Sequence, residues 1–272
     1  MHTAANFRSV VLACGLAIAV AGCDSTSDPT PLTPSTQVTP ITPNGEWAPV
    51  LDPADFVPGG ANQFFPLVPG TTFHYEAEAE DGAELGLVEV TSDVKTILGI
   101  NVVVVRDRVY LDANENGLAD GDQCDTEVGF TSELIEDTFD WYATQNDGTV
   151  WYLGEDSKEY EDCVLVGTAG SWEAGVNDAF PGIIMLTNPV IGQSYRQEFA
   201  EDIAEDWARV LSLTRSVSVE YGDFTGCLET MDWSYLEPGH REHKFYCPGV
   251  GLTLEISPSG GRGRNELVAK TP

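Results

Sequence analysis

The sequence predicts an all-β protein, an antiparallel β-sandwich or open barrel of about ten strands formed from two repeated meanders. Three observations carry this. Short runs rich in Val, Ile, Thr and aromatic residues alternate with Gly, Asn, Asp and Pro, and few stretches have a helical period. Asn146-Asp147-Gly148, between two such runs, is a hairpin signal. The pattern of the first five runs also recurs in a second five.

In chain order the strands expected are Thr72–Glu78, Leu87–Ile97, Asn101–Asp112, Leu134–Thr144 and Val150–Lys158, then Ser194–Phe199, Ala208–Glu220, Phe224–Trp233, Arg241–Cys247 and Gly251–Ile256. Pro69-Gly70-Thr71-Thr72-Phe73 parallels Ile191-Gly192-Gln193-Ser194-Tyr195, and Val90-Thr91 parallels Leu213-Thr214, at offsets of 122 and 123. Asp137–Tyr142 then parallels His243–Cys247 at an offset near 106, so the first copy carries about 17 extra residues near 113–131. The copies are expected to share one core, since neither has many apolar residues to spare. This divides the chain into a signal peptide (1–22), a tether (23–60), a first β repeat (61–170) and a second (171–272).

The N-terminus has one basic side chain, Arg8, before an apolar run from Val10 to Val20. That run is too short to span a bilayer and suits a signal-peptide core. It ends in Val20-Ala21-Gly22-Cys23, which resembles the bacterial lipobox. The resemblance implies that Cys23 is acylated and becomes the first mature residue, anchored to a membrane of the cell envelope through its lipid. Asp24 resembles an inner-membrane retention signal of some Gram-negative bacteria. From Asp24 to Pro43 the chain is dominated by Thr, Ser and Pro, a composition that cannot bury a core and that prolines keep extended.

Removing residues 1–22 loses only Arg8 among the charged residues, which leaves 12 basic against 44 acidic side chains, or −32. This excludes nucleic acid as a partner, because phosphate binding needs basic patches. It also excludes lying flat on an anionic membrane. Cation binding, a saline habitat and plain solubility each account for the excess, and four lysines in the whole chain suit the second.

Residues 112–123 read D-A-N-E-N-G-L-A-D-G-D-Q, with oxygen-bearing side chains at loop positions 1, 3, 5 and 9 and Gly at position 6. This resembles an EF-hand-type calcium loop, in which alternate side chains around a Gly turn supply hard oxygen ligands. The resemblance implies calcium held by Asp112, Asn114, Asn116 and Asp120, with the carbonyl of Leu118. Gln123 replaces the usual bidentate Glu, a role for which Asp122 or Asp125 is the substitute. A solvated acidic loop is the alternative. No flanking helices are expected, so calcium would be structural rather than sensory.

Cys124, Cys163, Cys227 and Cys247 remain after processing, and export permits disulfides. A turn at Asp147-Gly148 sets residue 134 opposite about 161, so Cys163 lies at the sheet end where the segment holding Cys124 emerges. Around Pro238-Gly239, residues summing to about 474 face each other. The expected pairs are Cys124–Cys163 and Cys227–Cys247, with free thiols the alternative. A Cys-rich metal site is weaker still, because no CxxC occurs.

Period-two reading places Asp107 among Val103, Val105, Val109 and Leu111, and Asp137 among Ile135, Phe139 and Trp141. It likewise places Glu229 among Cys227, Met231 and Trp233, and His243 beside Phe245 and Cys247. A charge on an apolar face must be paired or line a wet cavity. Asp107, Asp137, Glu229 and His243 are therefore cavity candidates, with ion pairing to scarce arginines such as Arg196 or Arg215 as the alternative. His74, His240 and His243 raise a metal reading that strand geometry disfavours, since residues three apart point to opposite faces.

Phe65–Gly70 (F-P-L-V-P-G), Asp140-Trp141-Tyr142, Val150–Asp156 (V-W-Y-L-G-E-D) and Tyr246–Leu252 (Y-C-P-G-V-G-L) resemble a family of uncharacterised secreted bacterial proteins over most of residues 62–256. That resemblance implies no activity. The acidic insertion and the cysteine pairs depart from it.

No nucleophile elbow, phosphate loop, HExxH or dinucleotide fingerprint is present. The expectation is a non-catalytic, lipid-anchored envelope protein, calcium-stabilised, that binds a small molecule or protein partner through a β-sheet cavity. A hydrolase using acidic residues of that cavity and a structural surface protein are the alternatives.

Overall fold

The computed structural model describes residues 47–57, 61–79, 82–112, 132–257 and 263–272. The lipobox with Cys23, most of the tether, and Asn114, Asn116, Leu118, Asp120, Asp122 and Cys124 lie outside them.

All sixteen strands among the described residues belong to one antiparallel sheet, and the sole helical element is a 3-10 turn at Pro53–Asp55. The first meander is β1 (Thr72–Ala79), β2 (Gly82–Ile97), β3 (Ile100–Asp112), β4 (Ser132–Thr144) and β5 (Val150–Asp156). Four short strands follow: β6 (Glu159–Glu161), β7 (Val164–Gly167), β8 (Trp172–Glu173) and β9 (Phe180–Met185). The second meander is β10 (Ser194–Arg196), β11 (Glu198–Phe199), β12 (Asp206–Val219), β13 (Gly222–Ser234), β14 (Glu242–Cys247) and β15 (Gly251–Ile256), and β16 (Arg264–Thr271) ends the chain.

The strand count exceeds the ten expected, and the extra strands are what make the sheet close. β16 lies between β15 and β1 and joins the two meanders edge to edge. At the far side, the single segment Ser194–Phe199 pairs with β12 through β10 and with β9 through β11. The result is a nearly closed barrel rather than a two-layer sandwich. β6 to β8 were missed because two to four residues are too few to show a period. β9 was missed because Pro181-Gly182 reads as a turn. Gly182 is required there, since a Cβ would collide with the backbone of Gln197 and Glu198 between the closing strands.

Each meander starts in the same way. Val68-Pro69-Gly70-Thr71 is a turn in which the Thr71 N–H donates to the Val68 carbonyl at 3.1 Å, with Gly70 at φ +90°. Val190-Ile191-Gly192-Gln193 repeats it at 2.9 Å, with Gly192 at φ +87°. Positive φ at the third turn position is why glycine stands there. The Gly70 N–H then donates to Val90, and Val90 back to Thr71; Gly192, Val210 and Gln193 do the same. Val210 thus occupies the place of Val90, where sequence matching sets Leu213. The offset falls to 120 because Val210 follows Gln193 by 17 positions where Val90 follows Thr71 by 19.

Cross-strand pairing fixes which side chains share a face. Val103, Val105, Asp107 and Val109 of β3 stand opposite Tyr142, Asp140, Thr138 and Glu136 of β4, and this is the inner face. Leu228, Thr230 and Asp232 of β13 opposite Tyr246, Lys244 and Glu242 of β14 continue it in the second meander. The outer face is covered as well. Val217, Cys227, Phe245, Cys247 and Leu254 form a small second core outside the barrel, with Cys227 and Cys247 joined by a disulfide. Cys163 is also disulfide-bonded, and its expected partner Cys124 lies outside the described residues.

Candidate functional site in the barrel interior

The four cavity candidates do not converge. Asp137 faces outward and accepts two hydrogen bonds from Arg106, Nε at 2.7 Å and Nη2 at 2.9 Å. Glu229 and His243 do meet, at 2.9 Å, but on the outer face and with the Arg215 guanidinium on the other Glu229 oxygen. These are structural ion pairs. Asp107 alone points inward, and it lines a cavity.

The inner cavity measures about 60 Å³. Its walls come from both meanders: Phe73 and Tyr75 of β1, Val90 of β2, Val105 and Asp107 of β3, Tyr142 of β4 and Leu252 of β15, with Phe65–Leu67 of the segment before β1. The Tyr75 hydroxyl donates to the Leu252 carbonyl at 2.9 Å and ties the two halves together at this point. Asp107 is only 2% exposed, and neither of its carboxylate oxygens has a hydrogen-bond partner. Burial raises its pKa well above the carboxylate range, the charges of Asp140, Glu136 and Glu255 add to this, and Arg108 opposes it weakly. An acid whose neutral form is favoured by burial thus faces an apolar chamber, and in that form it can donate one hydrogen bond and accept others.

Behind Asp107 lies a polar layer. The Tyr152 hydroxyl donates to Asp140 Oδ1 at 2.6 Å and stands 3.1 Å from Glu155 Oε2. Burial pushes Asp140 up to about 7, against the pull of the Tyr152 bond. Glu155 is raised by burial and by the neighbouring charges of Glu198 and Asp140, and its Oε1 has no partner. In the second meander Lys244 stands 3.8, 3.7 and 3.9 Å from Asp232, Glu242 and Glu255. Burial opposes its charge, but Glu255, Glu242 and Asp232 outweigh that and raise its pKa. One half of the interior is therefore an acid cluster bridged by hydroxyls, and the other is an acid cluster built around an ammonium group.

β8 pairs antiparallel with β5 at Gly154, where a Cβ would meet the Trp172 carbonyl, Glu173 Cα at 2.9 Å and Trp141 Cε3 at 3.1 Å. A cleft of about 430 Å³ opens beside this pairing. In it Lys95 Nζ sits 3.2 Å from the centroid of the Trp141 ring and 2.6 Å from Glu173 Oε2.

Asp112, the one described residue of the calcium loop, is buried at the end of β3 opposite Ala83 and Ser132. Among the described residues no group of three or more His, Cys, Asp or Glu side chains is arranged to hold a metal ion.

Sequence reasoning missed Asp140, Tyr142, Glu155, Lys244 and the Lys95–Trp141 seat. A signal existed: D-W-Y at 140–142 and V-W-Y-L-G-E-D at 150–156, quoted only for a resemblance, supply the inner acids, the tyrosines and Trp141.

No family model matches the chain, and no curated protein matches it in sequence. Two solved structures overlap with it at low similarity. A candidate lipoprotein from Parabacteroides distasonis ATCC 8503 is 12% identical, with a TM-score of 0.38 over 77% of this chain and 99% of that one. A candidate exported protein with a YmcC-like fold from Bacteroides fragilis NCTC 9343 is 12% identical, with a TM-score of 0.38 over 78% of this chain and 100% of that one. At that degree of overlap neither bears on what this chain does.

Proposed function

We propose that this chain is a non-catalytic, lipid-anchored protein of the bacterial cell envelope whose barrel holds a small amphipathic ligand, its apolar body in the inner cavity and its polar end on Asp107. One observation carries the binding reading: a fully buried acid with two unpartnered oxygens faces a chamber with apolar walls. An unpaired buried carboxyl group costs stability, and a few convergent polar groups in an apolar pocket are the hallmark of a ligand site. The anchor rests on Val20-Ala21-Gly22-Cys23, and calcium at residues 112–123 rests on the spacing of the loop oxygens.

Calorimetric titration of the full chain in mild detergent with alcohols and amides of three to six carbons tests the cavity. Binding is expected in the parent and its loss in Val88→Phe, which fills the chamber from a half-buried position. Absence of binding in the parent contradicts the proposal. For the anchor, Cys23→Ser is expected to lose fatty-acid labelling and leave the membrane fraction.

A hydrolase remains a second reading because Asp140 and Glu155 share the Tyr152 hydroxyl and burial raises the pKa of both. Turnover of an ester or glycoside that is lost in Glu155→Gln would favour it.

A further inference from the structure

The outer cleft carries an inference independent of the inner cavity. Its floor is the Trp141 ring with the Lys95 ammonium 3.2 Å from the ring centroid, and Glu173 closes on that ammonium at 2.6 Å. An aromatic face and a carboxylate converging on one nitrogen are the elements that recognise an alkylammonium ion. The occupant here is the chain's own side chain. Water reaches the pair, since Lys95 and Glu173 are each about one-third exposed, at 34% and 33%. Partly exposed pairs of this kind contribute little and exchange readily.

Other cations of the chain also rest on rings: Arg106 and Lys158 on Phe139, Arg241 on Trp233 and Lys270 on Phe73. The Lys95 seat differs in two respects. It has the shortest approach among these, and it opens into a cleft with about 430 Å³ of room. Beyond the ammonium, that room is bordered by Val176 and Ile203, large apolar side chains that are 48% and 41% exposed. Glu201, Asp156 and the Glu155 of the interior acid cluster add further carboxylates to its lining. A hydrocarbon stem therefore has an apolar wall leading away from the ammonium seat, and the surrounding charge favours a cation.

We propose that this cleft is a binding site for a small aliphatic amine, whose ammonium group displaces Lys95 from Trp141 and Glu173 and whose hydrocarbon body lies along Val176 and Ile203. Lys95 acts as a tethered competitor, so the apparent affinity is lowered by the fraction of time it holds the seat.

The test is calorimetry and tryptophan fluorescence on the full chain carrying Val88→Phe, which closes the inner cavity. The probes are n-pentylamine, cadaverine and the neutral isostere n-pentanol. The amines are expected to bind and pentanol not to. Adding Lys95→Met is expected to tighten amine binding about tenfold, the gain for a seat that is free about one-tenth of the time. Val176→Ser, which removes apolar wall without adding charge, is expected to weaken n-pentylamine binding. Three results overturn the proposal: no amine binding in either background, equal binding of pentanol, or unchanged affinity in Lys95→Met with an unchanged melting temperature. None of these touches the inner cavity, whose own test uses the parent chain.

Discussion

Replacing Asp107 by Leu separates stability from function most sharply. Asp107 is 2% exposed, both carboxyl oxygens lack partners, and burial raises its pKa and so favours the neutral form. A buried polar group without a hydrogen bond costs about 1–3 kcal/mol, and an apolar side chain of similar shape removes that cost. Leu has the same number of side-chain heavy atoms as Asp, and the neighbouring cavity of about 60 Å³ offers room for the larger volume of its two methyl groups. Asp107→Leu should therefore stabilise the ligand-free barrel by about 1–3 kcal/mol, or roughly 5 °C for a body of this size. The assay is chemical denaturation of chains stripped of ligand by unfolding and refolding, because a bound ligand stabilises the parent alone. The same variant should lose binding of small amphipathic probes. A variant that is less stable than the parent, or that binds as the parent does, refutes the argument.

Other expectations follow from the same interior. Asp140 is raised from 3.8 to about 7, so its contribution is fully present below pH 3.8 and is lost as pH rises through about 7. That shift corresponds to an upper bound of roughly 4 kcal/mol, shared with Glu155, which moves the same way. Denaturation of Asp140→Asn at pH 5 and pH 8 should show the parent losing stability relative to the variant as pH rises; parallel curves would refute this. The Cys227–Cys247 bridge spans a sequence separation of 20, and chain entropy sets its worth at about 3 kcal/mol. Unfolding of Cys227→Ala/Cys247→Ala against the parent measures it, and a loss below about 1 kcal/mol would show that the outer core holds without it. Calcium should raise the melting temperature of the full chain and release heat on titration, and Asp112→Asn should weaken both; no heat and no shift would dispose of the calcium loop.

The fold was more legible than the site, and for a physical reason. Alternation along Thr72–Glu78, Asn101–Asp112 and Phe224–Trp233 shows strands within a residue or two, because a pleated chain must put successive side chains on opposite faces. Hairpin sums also hold: Leu228 pairs with Tyr246 and Glu136 with Glu159, the registers that the Pro238-Gly239 and Asp147-Gly148 turns imply. The disulfide between Cys227 and Cys247 follows from that register. Closure was not legible, since β16 and the two-residue strands β8 and β11 form only because neighbours present free edges.

Period two also says which residues share a face without saying which face is inside. On β4 the more apolar set, Phe139 and Trp141 with Asp137, lies outside under a cover of Arg106, Lys95 and Lys158. The more polar set, Glu136, Thr138, Asp140 and Tyr142, lies inside. Choosing the apolar face therefore selected Asp137 and Glu229, which are ion-paired, and passed over Asp140 and Glu155. Asp107 was found because β3, unlike β4 and β13, has its apolar set on the inner side.

Native mass spectrometry of the full chain, extracted from its own membranes in mild detergent, tests the central claim most directly. The account predicts an acylated chain carrying a small non-covalent adduct, with the adduct absent from Val88→Phe and the acyl mass retained. A chain that flies without an adduct, or an adduct that persists when the chamber over Asp107 is filled, would contradict it.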